Sequence, residues 1–153
     1  MTAGVGPVSG TKLYIGPAGG IPTSPDLWVE IADISNLGDI SQQFAQITVE
    51  SLGSGDTYEI KGQRSFPNLA VVMNKNDGDA GQIALKAAAS AVRGTLYPFK
   101  IQEVDGAATT PGLVTWTGEC FGYGPAYGGV ANLRSVKTSI SIRPATITIT
   151  LGV

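Results

Sequence analysis

The chain has 153 residues, of which 14% are charged, and a net charge of −2. This length fits one domain with a real hydrophobic core, and so small a net charge excludes a general electrostatic attraction to nucleic acid or membranes. The absence of histidine excludes a Ser–His–Asp triad and histidine metal ligands, and a single cysteine, Cys120, excludes an internal disulfide.

The charged fraction is well below the quarter or so that is usual in soluble domains. It fits a chain that covers much of its surface with copies of itself, and a weakly charged monomer is the alternative. The charges are also uneven: residues 1–60 have seven acidic residues and one basic residue, whereas residues 61–153 have nine basic and five acidic residues. The resulting net charges of −6 and +4 suit head-to-tail assembly, although two solvated faces also account for them.

Residues 1–10 are small and rich in glycine, and we expect a flexible segment there, followed by a single domain over residues 11–153. The first residues lack the basic and apolar regions of a secretory signal. No apolar run approaches the roughly 20 residues of a membrane span. We therefore expect synthesis in the cytoplasm and no membrane partner.

The first half of the domain has a strand pattern. Strands are predicted at Lys12–Ile15 and Trp28–Ile34. Residues 43–61 predict a β-hairpin, in which Ala45, Ile47 and Val49 form the apolar side of the first strand and a Gly-rich loop precedes the second. A turn is predicted at Lys61–Arg64.

A helix is predicted in the middle of the chain. The apolar run Leu69–Met73 has the length of a strand covered on both faces. After a turn at Asn76–Gly78, Asp79 and Gln82 form a capping-box pattern, and the helix is predicted over Ala80–Arg93, ended by Gly94. The predicted packing face is mostly alanine and comprises Ile83, Ala84, Ala87, Ala88, Ala91 and Val92.

The rest of the chain is predicted to be β throughout. Gly118 and Gly122 mark positions where a bulge or a close backbone approach is expected. The predicted fold class is mainly β, a β-sandwich or partial barrel with one helix, at about residues 80–93, packed on its side. The predicted segments are strands at Leu96–Val104, Leu113–Tyr123, Val136–Arg143 and Thr146–Leu151, a turn at Asp105-Gly106 and a loop at Tyr123–Gly129. In the last strand, Ile147, Ile149 and Leu151 are predicted to point inward.

The sequence predicts no enzyme, no metal and no cofactor. Residues 74–79 have the composition of a calcium loop but lack its glycine, and Leu85 stands where the loop needs a glutamate. Gly4–Pro7 and Gly122–Gly124 do not complete a phosphate-binding motif. The acidic pair Asp56 and Glu59 would suffice for glycosidase chemistry, but nothing marks either residue as buried.

The order of these elements resembles the tail tube proteins of long-tailed bacteriophages, over about residues 10–150. Two departures are that no immunoglobulin-like domain follows and that Arg143-Pro144 stands where the family usually has a glycine. The matching elements are the hairpin Phe44–Ile60, the Lys61-Gly62-Gln63 turn, the strand Leu69–Met73, the Asn/Asp-rich break before the helix, the strand Phe99–Asp105, and the final strands Val136–Arg143 and Ile147–Ile149.

The resemblance implies a β-sandwich subunit that forms hexameric rings, which stack into a hollow tail tube for DNA ejection. The implied partners are further copies of the chain, the tape measure, tail terminator and distal tail proteins, and double-stranded DNA in transient passage. The implied location is the tail of a virion assembled in the host cytoplasm. The tube protein of a contractile tail or secretion system shares nearly all these features and is an alternative.

Two groups of site residues follow from this interpretation. Lys and Arg contacts to phosphate make DNA binding strong, so a channel that releases DNA should be lined by acidic and neutral groups. Asp39, Glu50, Asp56 and Glu59 are the channel-lining candidates, with an outer-surface position as the alternative. The candidates for contacts between rings are the loop residues Ser51, Leu52, Gly53, Ser54 and Gly55.

A carbohydrate-binding β-sandwich, monomeric or trimeric, is the alternative from a different functional class. Sugar-binding faces need exposed aromatic side chains, and Trp28, Trp116, Tyr123 and Tyr127 are the candidates. Trp116 alternates with Cys120 in what has the pattern of a core strand, which disfavours this alternative.

Overall fold

A computed structural model describes residues 10–103 and 110–152 of the chain. The described residues form a mainly β structure with one α-helix, as predicted. The strands are β1 Lys12–Ile15, β2 Val29–Ile31, β3 Ile34–Asn36, β4 Gln43–Glu50, β5 Thr57–Ser65, β6 Leu69–Asn74, β7 Tyr97–Gln102, β8 Leu113–Gly118, β9 Cys120–Ala126, β10 Ser135–Ile140 and β11 Thr148–Thr150. The helix α1 spans Ala80–Ala89, and a short 3₁₀ turn spans Pro25–Leu27.

Two antiparallel sheets form the body of the molecule. The first has the strand order β11-β8-β7-β1-β2 and the second the order β3-β6-β10-β9. Alternate side chains of both sheets point into one shared core. Phe99 and Trp116 stack there with ring centroids 5.8 Å apart, and both are completely buried. The predicted sandwich is therefore confirmed.

The chain changes sheets at Gly118. The predicted strand Leu113–Tyr123 is two strands, β8 in the first sheet and β9 in the second. A Cβ atom at Gly118 would collide with the carbonyl oxygen of Ser141, so the predicted close approach is confirmed. At Gly122 the predicted irregularity takes the form of a register shift between β9 and β10.

The helix is shorter and differently oriented than predicted. It ends at Ala89 with Ser90 as its cap, and the predicted end at Arg93 is wrong. Gly81 touches the backbone of β2, where a Cβ atom would collide with Glu30 O. This close approach rotates the helix, and its buried residues are Gly81, Gln82, Leu85 and Ala88. Of the predicted face, Ala88 is buried and Ala84 packs against the core, whereas Ile83, Ala87 and Val92 are exposed.

The capping interaction is partly as predicted. Asp79 Oδ2 accepts a hydrogen bond from Gln82 N at 3.0 Å and another from Ala32 N at 3.1 Å. The Gln82 side chain does not return to Asp79. Its Oε1 accepts from Asn76 N, and its Nε2 donates to the carbonyl oxygens of Asn74 and Ala32. A buried amide thus joins the helix to two chain segments.

Several predicted strands have different bounds. Asp33, with a φ of 61°, separates β2 from β3, so the predicted strand Trp28–Ile34 is two strands in different sheets. The predicted turn at Lys61–Arg64 lies inside β5, and β6 is buried on one face only, with Ala70 exposed. The first four residues of the predicted loop Tyr123–Gly129 belong to β9, and the last strand is short.

The predicted segment 1–10, apart from Gly10, and the predicted turn at Asp105-Gly106 lie outside the described residues.

Candidate assembly surface

The hairpin formed by β4 and β5 stands apart from the body. The two strands pair with each other in a separate two-stranded sheet and, among the described residues, with no third strand. Nearly every hairpin residue is exposed. Because an isolated two-stranded hairpin is at best marginally stable in water, this element needs further contacts.

The hairpin has one polar and one apolar face. Residues directly opposite in an antiparallel pair share a face. Ile47 pairs with Ile60, and Val49 pairs with Tyr58, which gives the apolar face. The polar face consists of the pairs Gln46–Lys61, Thr48–Glu59 and Glu50–Thr57.

The apolar face has no cover from residues 10–103 and 110–152 of its own chain. The exposed fractions are 47% for Ile47, 56% for Tyr58 and 47% for Ile60. Alternation of this kind is normal where one face packs on a core, and here the core is missing. In the described part of the chain, both outer edges of the hairpin also carry unpaired backbone groups, which is the arrangement that another chain can extend. The geometry therefore suits strand addition and apolar packing between chains.

The base of the hairpin is fixed to the body, whereas the tip is free. Arg64 Nη2 donates to Pro144 O at 2.6 Å, and the Arg64 guanidinium lies 5.8 Å from the Phe66 ring centroid. Phe66 in turn packs against the core. A register shift at Phe44–Gln46 bends the strand near this base. The attachment directs the hairpin away from the sandwich.

Three of the four predicted channel residues come together. Glu50 and Glu59 share the polar face of the hairpin, and Asp56 lies in the turn beside them. Glu59 accepts a hydrogen bond from Gln46 Nε2 on that face. Asp39 is exposed in the connection between β3 and β4, outside the hairpin.

The five predicted inter-ring residues form the hairpin tip. Ser51 N donates to Asp56 O at 3.0 Å, Gly55 N donates to Ser51 O at 2.9 Å, and Gly55 has a positive φ of 70°. This tight closure places Leu52 outward, where its side chain is completely exposed. Around it, Gly53, Ser54 and Gly55 have small side chains or none.

The four aromatic residues of the carbohydrate alternative do not form a platform. Trp116 is completely buried, and Trp28 covers Lys100 with 4.9 Å between the Lys100 Nζ atom and the ring centroid. Tyr123 OH lies 3.4 Å from Gln82 Oε1, and burial raises the pKa of this tyrosine. Burial lowers the pKa of Lys100. Three of the four aromatic residues thus contact their own chain, and Tyr127 is exposed without the other three beside it as a platform.

The turn before α1 has a structural role. Lys75 Nζ lies 2.5 Å from Asp77 Oδ1, and this hydrogen bond lowers the pKa of Asp77. Asn76 Nδ2 donates to Asp33 Oδ2 at 2.8 Å. In the described ranges, no group of three or more acidic or cysteine side chains is arranged to hold a metal ion. No helix in these ranges is long and apolar enough to span a membrane.

Sequence reasoning missed further exposed apolar residues. Ile149 and Leu151, predicted to point inward, are exposed at the β11 edge of the first sheet, and Val130 and Leu133 are exposed in the loop between β9 and β10. The alternation of β11 was visible in the sequence. However, alternation does not say whether the cover comes from the same chain or from another.

No protein-family model and no curated protein matches this sequence, but solved structures do. A chain in the 6-fold symmetrised baseplate of the anti-feeding prophage is 11% identical with a TM-score of 0.69, and the match covers 97% of both chains. A chain of the sheath–tube complex of the extracellular contractile injection system PVC, in the extended state, is 14% identical with a TM-score of 0.64, over 95% of this chain and 90% of that one.

A chain in the sheath/tube terminator of the same system is also 14% identical with a TM-score of 0.64, over 98% of this chain and 99% of that one. At these identities the likeness concerns the fold. The chain shares its fold, over nearly its whole length, with chains of a prophage particle and of a contractile injection system.

Proposed function

We propose that this chain is a structural tube subunit of a phage tail or a related injection particle. Copies of it close into rings, and the rings stack into a hollow tube. The observation that carries this proposal is the β4–β5 hairpin, an amphipathic two-stranded sheet with uncovered apolar residues and unpaired edges. The 6-fold symmetry of one structural relative supports rings of six copies.

Ring closure would supply what the isolated hairpin lacks. In a ring, the hairpin edges of each copy pair with strands of its neighbours, so that no edge remains open. The apolar face of Ile47, Val49, Tyr58 and Ile60 packs against the sandwich bodies of the ring. A marginally stable element thereby becomes part of a closed barrel.

The polar face of the hairpin is then left for the channel. Its charged groups are Glu50, Glu59 and Lys61, which leaves an acidic excess. With few cations to hold phosphate groups, such a lining lets double-stranded DNA pass without retaining it. Asp39, from outside the hairpin, and Asp56, at the hairpin turn where one proposed ring meets the next, complete the proposed acidic set.

The proposed role requires no catalytic group and no cofactor. The proposed partners are further copies of the chain and the proteins that begin and end a tube, namely the distal tail and tail terminator proteins, with a tape measure protein inside during assembly. The structural relatives support a terminator, because one lies in a sheath/tube terminator and another in a tube terminating cap. The proposed location is the tail of a particle assembled in the host cytoplasm.

A contractile particle is the second candidate within this role. The likeness to a chain of a sheath–tube complex favours it, because such a tube is surrounded by a sheath. Purification of tubes from particles distinguishes the two cases. A co-purifying sheath indicates the contractile form, and naked tubes indicate the other.

Electron microscopy of the purified protein tests the proposal. We expect rings or tubes with a central hole. Ile47→Asp, which places a charge on the apolar face, should abolish them, whereas Thr48→Asp on the adjacent polar face should leave them intact. A wild-type protein that stays monomeric at millimolar concentration would refute the tube role.

A separate experiment tests the channel assignment. Particles carrying Glu59→Lys, a change on the polar face away from the tip, should assemble with normal tube lengths but release DNA more slowly, because each hairpin then presents one more lysine and one carboxylate fewer to the phosphate groups. Lys137→Glu, an exposed charge reversal on β10, is the control. Normal release from this variant would remove Glu59 from the channel.

A further inference from the structure

An apolar groove of about 740 Å³ opens at the end of the sandwich near the base of the hairpin. One wall is the loop after β1, with Ala18, Gly20 and Ile21, and the other is the segment after α1, with Leu96. Gly19 N donates to Leu96 O at 2.9 Å and ties the two walls together. This volume lies within the range of sites that take up a ligand.

One polar group in the groove lacks a partner. Thr117, which lines the groove, is buried, and its Oγ1 has no hydrogen-bond partner among the described residues. An unsatisfied buried hydroxyl costs about 1–3 kcal/mol. The neighbouring Thr146 Oγ1 accepts from Thr117 N and donates to Arg143 O, so it does not satisfy the Thr117 hydroxyl. Thr117 is thus a polar group at the groove whose hydrogen-bonding capacity is unused.

The hairpin tip has the complementary shape and chemistry. Leu52 is a completely exposed apolar side chain on a turn of small residues. Ideal Cβ atoms at Gly53 and Gly55 would meet nothing within 4 Å, so the turn is narrow and unobstructed. Such a tip can enter an open groove with the leucine leading and its backbone groups available to Thr117.

The charges at the two places are opposite. Glu50 and Asp56 flank the tip, and both are exposed. At the groove, Arg93 precedes the lining residue Gly94, and Arg143 N donates to Thr117 O; both arginines are exposed. Glu119, which accepts from Gly94 N, is the acidic group nearby. The exposed cations outnumber it, so the groove margin attracts an acidic tip.

A single chain cannot place its tip in its own groove. The hairpin is fixed to Pro144 through Arg64, and Pro144 is two residues from Thr146 in the groove. From Arg64 to Asp56 the strand covers eight residues, or about 25 Å at the usual rise of about 3.3 Å per residue. The tip therefore points away from the groove of its own chain, and the occupant has to come from another copy.

We propose that the groove receives the Leu52 tip of a second copy of this chain in the adjacent ring. Leu52 fills the apolar groove, the backbone of the tip satisfies Thr117, and Asp56 lies against the arginines. Because tip and groove are different surfaces, the contact is head-to-tail and propagates along the axis. This inference rests on the proposed tube function and identifies the acceptor for the inter-ring loop.

Disulfide trapping tests the contact directly. Leu52→Cys and Gly20→Cys are combined in one chain, since a Cβ atom at Gly20 meets nothing within 4 Å. Each copy then carries both partners, so mild oxidation of tubes should give a ladder of linked chains on a non-reducing gel. Val130→Cys with Gly20→Cys is the matched control, because Val130 is equally exposed on a different loop; it should give no ladder.

A charge exchange provides a second measurement that does not depend on cysteine chemistry. Asp56→Arg and Arg143→Asp should each shorten the tubes, and the double variant should restore their length. Rings must persist in all three variants. If the tubes of the double variant are no longer than those of either single variant, the pairing of Asp56 with Arg143 is contradicted.

The outcomes separate this inference from the function on which it rests. If the wild type forms tubes and the Leu52→Cys, Gly20→Cys variant gives no ladder, the groove contact is overturned and the tube function stands. A wild-type protein that forms neither rings nor tubes would overturn both. A ladder from the cysteine pair and none from the control would establish the contact.

Discussion

The sandwich body and the hairpin have similar sequence patterns but different burial. In both, apolar residues alternate with polar ones along antiparallel strands. In the body, the alternating residues of β1, β7 and β10 are almost completely buried against the opposite sheet. In the hairpin, Ile47 and Ile60 are about half exposed. The same pattern therefore marks a core in one region and a surface for other chains in the other.

This difference predicts where mutations act. Apolar residues of the body should determine whether a single chain folds. Apolar residues of the hairpin should determine whether folded chains assemble. Variants in the two regions can therefore be compared by two measurements, the stability of the monomer and the concentration at which tubes form.

The largest expected effect is the loss of the central aromatic pair. Trp116→Ala removes a completely buried indole that stacks on Phe99, and should destabilise the monomer by about 3–5 kcal/mol. Chemical denaturation of the dilute protein measures it. A loss below about 1 kcal/mol would mean that the body is not held together by this core.

The next effect concerns the point at which the chain changes sheets. Gly118→Ala forces a Cβ atom against Ser141 O and should cost about 1–3 kcal/mol, since a packed interior does not yield easily. Gly122→Ala, where the added atom meets nothing within 4 Å, is the matched control and should cost less than about 1 kcal/mol. Equal losses from the two variants would contradict the close approach at Gly118.

Apolar residues of the hairpin should affect tube assembly and have little effect on the stability of the monomer. Tyr58→Ser removes an exposed apolar side chain and should change monomer stability by no more than about 0.5 kcal/mol. The concentration required for tube formation should nevertheless rise at least about tenfold, because the residue would be buried in the ring. Light scattering against concentration measures this. If monomer stability falls while assembly is unchanged, the hairpin belongs to the fold of the single chain.

The fold class could be predicted because strand alternation and turn residues are local signals. The capping residue Asp79, the strand at Leu69 and the core position of Trp116 followed from such signals. The orientation of the helix did not. It depends on Gly81 allowing backbone contact with β2 and on the Gln82 amide finding three partners, and neither is visible in apolar periodicity.

For the candidate assembly surface, only the segment of the chain that forms it could be predicted from the sequence. The sequence indicated a hairpin with acidic residues and a Gly-rich loop. The separation into one polar and one apolar face depends on the register between β4 and β5, which pairs Ile47 with Ile60. The groove near Thr117 gave no sequence signal, because its walls come from four separate segments. Contacts between distant segments are the part of the structure that local patterns do not encode.

The smallest expected effect concerns a half-buried cation in the body, whose counterpart in the hairpin is a set of exposed charges. Lys100 lies between the rings of Tyr14 and Trp28, at 4.5 and 4.9 Å, and burial lowers its pKa from the ordinary 10.5. The folded chain therefore releases this proton at lower pH than the unfolded chain, and stability should rise as pH increases through the lowered pKa toward 10.5. Tyr123 acts in the opposite direction, because burial raises its pKa above 10.0 and stability is lost as pH rises beyond that value. Melting temperatures of the wild type and of Lys100→Met in the alkaline range should converge as pH rises toward 10.5. Parallel curves for Lys100→Met would show that the aromatic rings fully compensate the desolvation of the ammonium group.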